Sequence, residues 1–285
     1  MKPLAAPSLP EAFFLPVSDG FCYCLFHAPH EGIQRGCILY LHPFAEELNT
    51  TRRIVAQQAR ALARLGYGVL QVDLPGCGDS TGEFENASWS SWMEASMVAA
   101  QWLQEKTPGP FWIWGLRTGA LLAAQLACQL QTLQQHSVHL LFWQPVASGQ
   151  QALQQFLRLH SASEWLGART DAPVSPRKML EQGHSVEIAG YTLSANLANE
   201  MSNARLLPVA LNTFSPARLV WIEMSSQDMP RFSPASEKML VDWKENGWEV
   251  NAQIVSESAF WQTIHDSDAP FLLNATSNAL LQFDA

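Results

Sequence analysis

Apolar and polar positions along this chain fall into short apolar runs separated by longer amphipathic stretches. Residues 13–18 (FFLPVS) and 21–27 (FCYCLFH) flank Asp19-Gly20 and predict a β-hairpin. Continuous apolar runs follow at 36–44, 69–76, 111–115 and 139–146. Runs of this length predict strands buried on both faces. Between them lie helical patterns. One carries Ile54, Leu62 and Leu65 among alanines and stops at Gly66; the others span 88–106 and 120–133. Strand–helix alternation of this kind predicts a parallel sheet covered by helices on both faces, with right-handed crossovers.

The alternation stops near Gly149. Residues 150–208 are rich in Gln, Ser and Ala, with helical patches but no predicted strand. It then resumes: a strand at 217–224, a helix at 233–247, a strand at 248–255 and a closing helix over 269–283. The expected organisation is one α/β domain, with core segments 1–149 and 209–285 and a lid-like insertion at 150–208.

Composition narrows the function. Only 15% of the 285 residues are charged, against roughly 25% in an average domain. Acids outnumber bases 26 to 17, which argues against a nucleic-acid partner. No apolar run approaches the ~20 residues of a membrane span. The opening MKPLAAPSLPEAFFLP is broken by prolines and Glu11 and makes a poor signal peptide. Five scattered cysteines fit a reducing cytoplasm better than a disulfide framework. Cys22, Cys24, His27 and His30 are near neighbours, but strand alternation puts the thiols and His27 on opposite faces, and no second ligand pair accompanies them. No metal and no cofactor is expected.

The chemistry centres on Gly115-Leu116-Arg117-Thr118-Gly119, between the FWIW strand and the ALLAAQL helix. A G-x-S-x-G at such a junction is a nucleophile elbow. Its glycines permit a sharp turn and close packing of helix on strand. Here the central residue is Arg117. The segments GLRTGALLA (115–123), HPFAEELN (42–49) and DLPGCGDSTGEF (73–84) resemble those of α/β-hydrolases, and more narrowly of exosortase A system-associated hydrolases of the second type. This resemblance implies a mostly parallel α/β-hydrolase sheet with an N-terminal antiparallel hairpin and a helical lid. It also implies an acyl (ester or thioester) hydrolase, and a setting of exosortase-type protein sorting and exopolysaccharide production.

In this fold the triad runs nucleophile, acid, histidine. Asp228, just past the 217–224 strand, is the acid candidate; the alternative is a loop residue capping the next helix. The slot expected for His holds Ala259, and His265 follows six residues later, either reaching the site or lying in a solvated loop. Arginine keeps its proton and has no nucleophilic lone pair, so Arg117 forms no acyl-enzyme.

Two readings stay open. In one, water activated by His42, Glu46 or Glu47 hydrolyses an acyl substrate while Arg117 holds an anion or oxyanion. Phe44, Asn49, Leu116 and Thr118 then line the oxyanion region, with Ser80 a remote substitute nucleophile. In the other, Glu46 or Glu47 pairs with Arg117 as structural glue, and the chain is a non-catalytic homologue binding an anionic small molecule or a protein of the exosortase system. His42 is then packed beneath the elbow, and Asp79 and Ser80 fix their loop through local hydrogen bonds. A lid-mediated homodimer using aromatics such as Trp165 is a third possibility.

Overall fold

The computed structural model describes residues 9–133, 138–166, 175–211, 217–262 and 268–283, with side chains 133 and 159–166 left undescribed. The hairpin forms as β1 (Glu11–Val17) and β2 (Gly20–His27), and Gly20 at the turn takes a φ of 123°. The core strands are β3 (Gly36–Leu41), β4 (Tyr67–Val72), β5 (Phe111–Leu116), β6 (Val138–Trp143), β9 (Arg218–Ser225) and β10 (Glu249–Ser256). They join the hairpin in one eight-stranded sheet, ordered β1-β2-β4-β3-β5-β6-β9-β10. The β1–β2 and β2–β4 pairs are antiparallel and all others are parallel.

Both faces are covered, which is why the central strands read as unbroken apolar runs. Along β3 the side chains alternate. Ile38 and Tyr40 pack with Ile54, Leu62 and Leu272, from α1 (Glu46–Arg64) and α8 (Pro270–Phe283). Cys37, Leu39 and Leu41 face the opposite layer, built from α2 (Trp89–Lys106), α3 (Gly119–Leu133) and α7 (Pro234–Glu245). The tryptophans of the composition are largely core: Trp112, Trp114, Trp143, Trp221 and Trp243 are fully buried.

The insertion after β6 holds α4 (Gly149–Leu166), α5 (Pro176–Glu181) and α6 (Ala195–Asn203). It also holds a small antiparallel pair, β7 (Val186–Ile188) and β8 (Tyr191–Leu193), where the sequence pattern predicted no strand. These three-residue strands turn through Ala189-Gly190, both at positive φ, and are too short to show period-2 patterning. The two stems of the insertion are tied side by side: Gly149 N–H donates to the Ala204 carbonyl at 3.0 Å, and Leu206 N–H to that of Ala147 at 3.0 Å.

Connections leave β3 toward β4 on one side, and β5 leads to β6 on the other. The chain direction across the sheet therefore reverses between β3 and β5, which are neighbours. Beyond the C-terminal ends of strands at such a switch point an open α/β sheet forms its crevice. The 42–49 segment after β3 and the Arg117 turn after β5 meet there.

Candidate functional site

The Arg117 turn is built by its glycines. A side chain at Gly115 would come within 2.5 Å of the Ala120 backbone, and one at Gly119 would run into the Leu41 carbonyl oxygen and lie 2.8 Å from that of His42. Helix α3 can thus press against β3 and β5 only because both positions lack a Cβ. Arg117 itself sits at φ 55°, a left-handed conformation that costs an L-residue about 1–2 kcal/mol. Its N–H donates to the Trp143 carbonyl at 3.0 Å, which fixes the turn. Leu116 and Thr118 on either side are buried.

The Arg117 side chain, only 10% exposed, is met by three groups from distant parts of the chain. Its Nε and Nη2 both donate to Oε1 of Glu47, at 3.3 and 3.2 Å. The pairing expected with Glu46 or Glu47 thus falls to Glu47, with both bonds ending on one oxygen rather than forming a parallel two-oxygen fork. Nη2 also donates to Oε1 of Gln155, on α4, at 2.8 Å. The ring of Trp261, in the 3-10 turn Phe260–Gln262, faces the guanidinium at 5.2 Å. Burial pushes the Glu47 carboxyl above its ordinary pKa, and the charge and hydrogen bonds of Arg117 pull the other way without fully offsetting it.

The other 42–49 residues also reach the insertion. Tyr191 of β8 donates its hydroxyl to Glu46 Oε2 at 3.3 Å and accepts from Asn49 Nδ2 at 2.7 Å. Burial and the nearby Glu46 carboxylate raise that phenol to about 12. Phe44 is buried with its ring 5.0 Å from Phe156 of α4, 5.6 Å from Phe84 and 6.4 Å from Trp92. Ala45 takes φ 50° to turn the loop into α1.

His42 is committed on both sides of its ring. Nδ1 lies 2.8 Å from the Pro43 carbonyl and Nε2 is 3.2 Å from the Leu74 N–H. The first contact requires N–H at Nδ1 and the second a lone pair at Nε2, so the ring is the neutral Nδ1-H tautomer. Burial lowers its pKa in the same sense. Ser80 is likewise occupied, donating to the Asp73 carbonyl at 2.5 Å and accepting from the Tyr23 N–H at 2.8 Å. Asp73 Oδ2 accepts from Arg52 at 3.0 Å and from the Asp79 N–H at 3.1 Å, so a buried carboxylate holds this glycine loop.

Asp228 is exposed in the loop after β9 and makes no hydrogen bond to another described residue. It does not cap α7; Ser233 does, accepting from the Ser236 N–H at 3.1 Å. His265 and Trp165 fall outside the described positions and side chains. Ala259 stands directly before the Phe260–Gln262 turn. All five cysteines are free thiols. Cys22 and Cys24 are buried in the core beneath the hairpin, while His27 turns to Gln71 at 2.9 Å. Among the described residues no group of three or more His, Cys, Asp or Glu gathers to hold a metal.

The sequence pattern did not signal Gln155, Phe156, Tyr191 or Trp261 as members of this centre.

A model of the alpha/beta hydrolase fold matches residues 37–261. The chain belongs to the α/β-hydrolase family. Among solved structures this α/β-hydrolase resembles Est1E from Butyrivibrio proteoclasticus with bound ferulic acid, at TM-score 0.61 and 13% identity over 96% of this chain and 98% of that one. A lidless serine hydrolase from Xanthomonas campestris gives 0.57 and 16%, over 99% and 98%. Mouse alpha/beta hydrolase domain-containing protein 10 gives 0.58 and 15%, over 96% and 100%. At these identities the likeness is one of fold. No curated protein matches the α/β-hydrolase by sequence. No helix among its described residues is long and apolar enough to cross a membrane.

Proposed function

We propose that this α/β-hydrolase is a non-catalytic homologue in which the nucleophile position has become a clasp for the lid, residues 150–208. Its role is to bind an anionic small molecule or a protein partner. The observation that carries this reading is the Arg117 guanidinium, held at once by Glu47, Gln155 and Trp261. A cation so placed supplies no lone pair for acyl transfer. His42 has both nitrogens in use, and Ala259 offers no base. Arg117 Nη1 makes no hydrogen bond to a described residue, so an anionic group has N–H donors to meet there without displacing Glu47. The resemblance of 115–123, 42–49 and 73–84 to exosortase A system-associated hydrolases supports a setting in exopolysaccharide production, and the free cysteines support a reducing cytoplasm.

One observation favours a second reading. Burial raises the Glu47 carboxyl toward the range useful for a general base, beside a fixed cation able to hold an oxyanion. In that reading Glu47 activates water against an ester or thioester. Panels of nitrophenyl esters and acyl thioesters, with fluorophosphonate labelling, separate the two. We expect no turnover above background and no label. Carboxylate and phosphate probes should stabilise the wild type in thermal shift but not Arg117→Gln. Turnover abolished by Glu47→Gln would establish the second reading in place of the first.

A further inference from the structure

The insertion carries a cleft of its own. Between α4, α5 and α6 lies a cavity of about 170 Å³. Its floor is aliphatic: Leu153, Leu157, Leu180, Ala195 and Ala198. A second cavity of about 240 Å³ continues from it, and the two share Gln154, Leu157 and Arg177. Together they form one groove of the size that small-molecule sites have. The second part brings Arg158 and Arg177 to one end. Two arginines at the end of an open aliphatic groove stand out in a chain with only 17 basic residues and a net charge of −9.

Arg177 already shows what it recognises. Its Nε donates to the Glu181 carboxylate at 3.0 Å, with both side chains roughly two-thirds exposed, at 66% and 62%. An exposed i,i+4 pair of this kind contributes little to stability, so exchanging Glu181 for a ligand carboxylate costs little. Arg158 pairs with no carboxylate among the described residues, and with Glu181 present the groove still carries a net positive charge. The polar rim of Gln150, Gln154 and Asn199 is neutral.

We infer that this groove is a binding site for a single-chain carboxylate amphiphile, a medium-chain fatty acid. Its tail lies along Leu153, Leu157, Leu180 and Ala195, and its carboxylate lies between Arg158 and Arg177. The site is separate from Arg117: Gln154 and Leu157 look into the groove, whereas Gln155 and Phe156 of the same helix meet the elbow and Phe44.

Calorimetric titration of the full chain with sodium octanoate, below its micellar range, and with 1-octanol tests this. Octanoate should bind the groove in Arg117→Gln, where the elbow holds no carboxylate, as it does in the wild type. Arg158→Gln/Arg177→Gln should weaken it about tenfold or more while changing 1-octanol little, because a charge-assisted bond is lost but the apolar floor is kept. Ala195→Phe, which fills the floor from a partly exposed position, should weaken both, with circular dichroism reporting that the fold is kept. A diazirine analogue of octanoate should label peptides spanning 150–157 and 195–202. Absence of octanoate binding at millimolar concentration, equal response of both variants to acid and alcohol, or labelling confined to 42–49 and 115–121 would each overturn the assignment.

Discussion

Replacing Arg117 by Met keeps a Cβ and a long stem at the elbow and removes only the guanidinium, so it measures the clasp. Three contacts are lost. A hydrogen-bonded charge pair is worth about 1.5–3 kcal/mol when shielded from water, but the Glu47 side chain is 26% exposed and recovers part of this by hydration. The bond to Gln155 is worth about 1 kcal/mol and the Trp261 contact about 0.5–1 kcal/mol. The expected net loss is about 2–3 kcal/mol near neutral pH. Arg117→Gly loses the buried stem as well but relieves the left-handed strain, so the two effects oppose and it should fall within about 1 kcal/mol of Arg117→Met. The loss depends on pH with a defined sign. Glu47 already has a folded pKa above its unfolded value, so its ionisation opposes folding as pH rises through that pKa. Without Arg117 the folded pKa climbs further. The destabilisation by Arg117→Met is therefore smaller below pH ~4, where Glu47 is protonated in both proteins and chiefly the Gln155 and Trp261 contacts are lost, and it grows toward neutrality. Urea unfolding across pH 4–8, closed into a cycle with Glu47→Gln, measures it. A flat difference below about 0.5 kcal/mol, with no coupling in the cycle, would mean that the guanidinium and the carboxylate do not stabilise each other, and the clasp would have to be given up.

Other expectations follow from the same geometry. Arg117→Ser should remain unlabelled by fluorophosphonate, since His42 is held as a neutral hydrogen-bonding bridge and position 259 is alanine; strong labelling would reveal an unrecognised base. Gly119→Ala should cost at least about 1–3 kcal/mol in thermal unfolding or prevent folding, because the added methyl meets the fixed backbone of β3; a neutral result would show that α3 can shift outward. His27 and His139, buried and lowered to about 4, should each withdraw on the order of 3 kcal/mol of stability as pH falls from 6.5 through 4, and His139→Gln should flatten that acid limb.

How much of this was legible in the sequence follows from the range of each interaction. The strands of the sheet centre announced themselves because each is buried on both faces, as along β3, and the elbow because only glycine at 115 and 119 lets α3 touch β3. The β7–β8 pair was hidden by its brevity. The partners of Arg117 were hidden for another reason: Glu47, Gln155 and Trp261 sit on α1, α4 and the turn after β10, and no periodicity links segments so far apart. Charge logic pointed to a carboxylate in 42–49, since a buried cation needs one, but not to which glutamate; that depended on Tyr191 taking Glu46.

The two departures from the triad pattern are physically consistent with one another. A histidine at position 259, just before the turn that carries Trp261, would be held toward its neutral form by the nearby permanent guanidinium, as His27 is by burial and, secondarily, by Arg60. It would then be a poor acceptor of a nucleophile's proton, and Arg117 at the elbow has no hydroxyl or thiol proton to hand it. Once Arg117 occupies the elbow, the useful neighbours are a carboxylate, an amide oxygen and an aromatic face, and those are what the surrounding elements present. Here Arg117 has partners from three separate elements, one of them in the insertion, which fits the proposed role of holding that insertion.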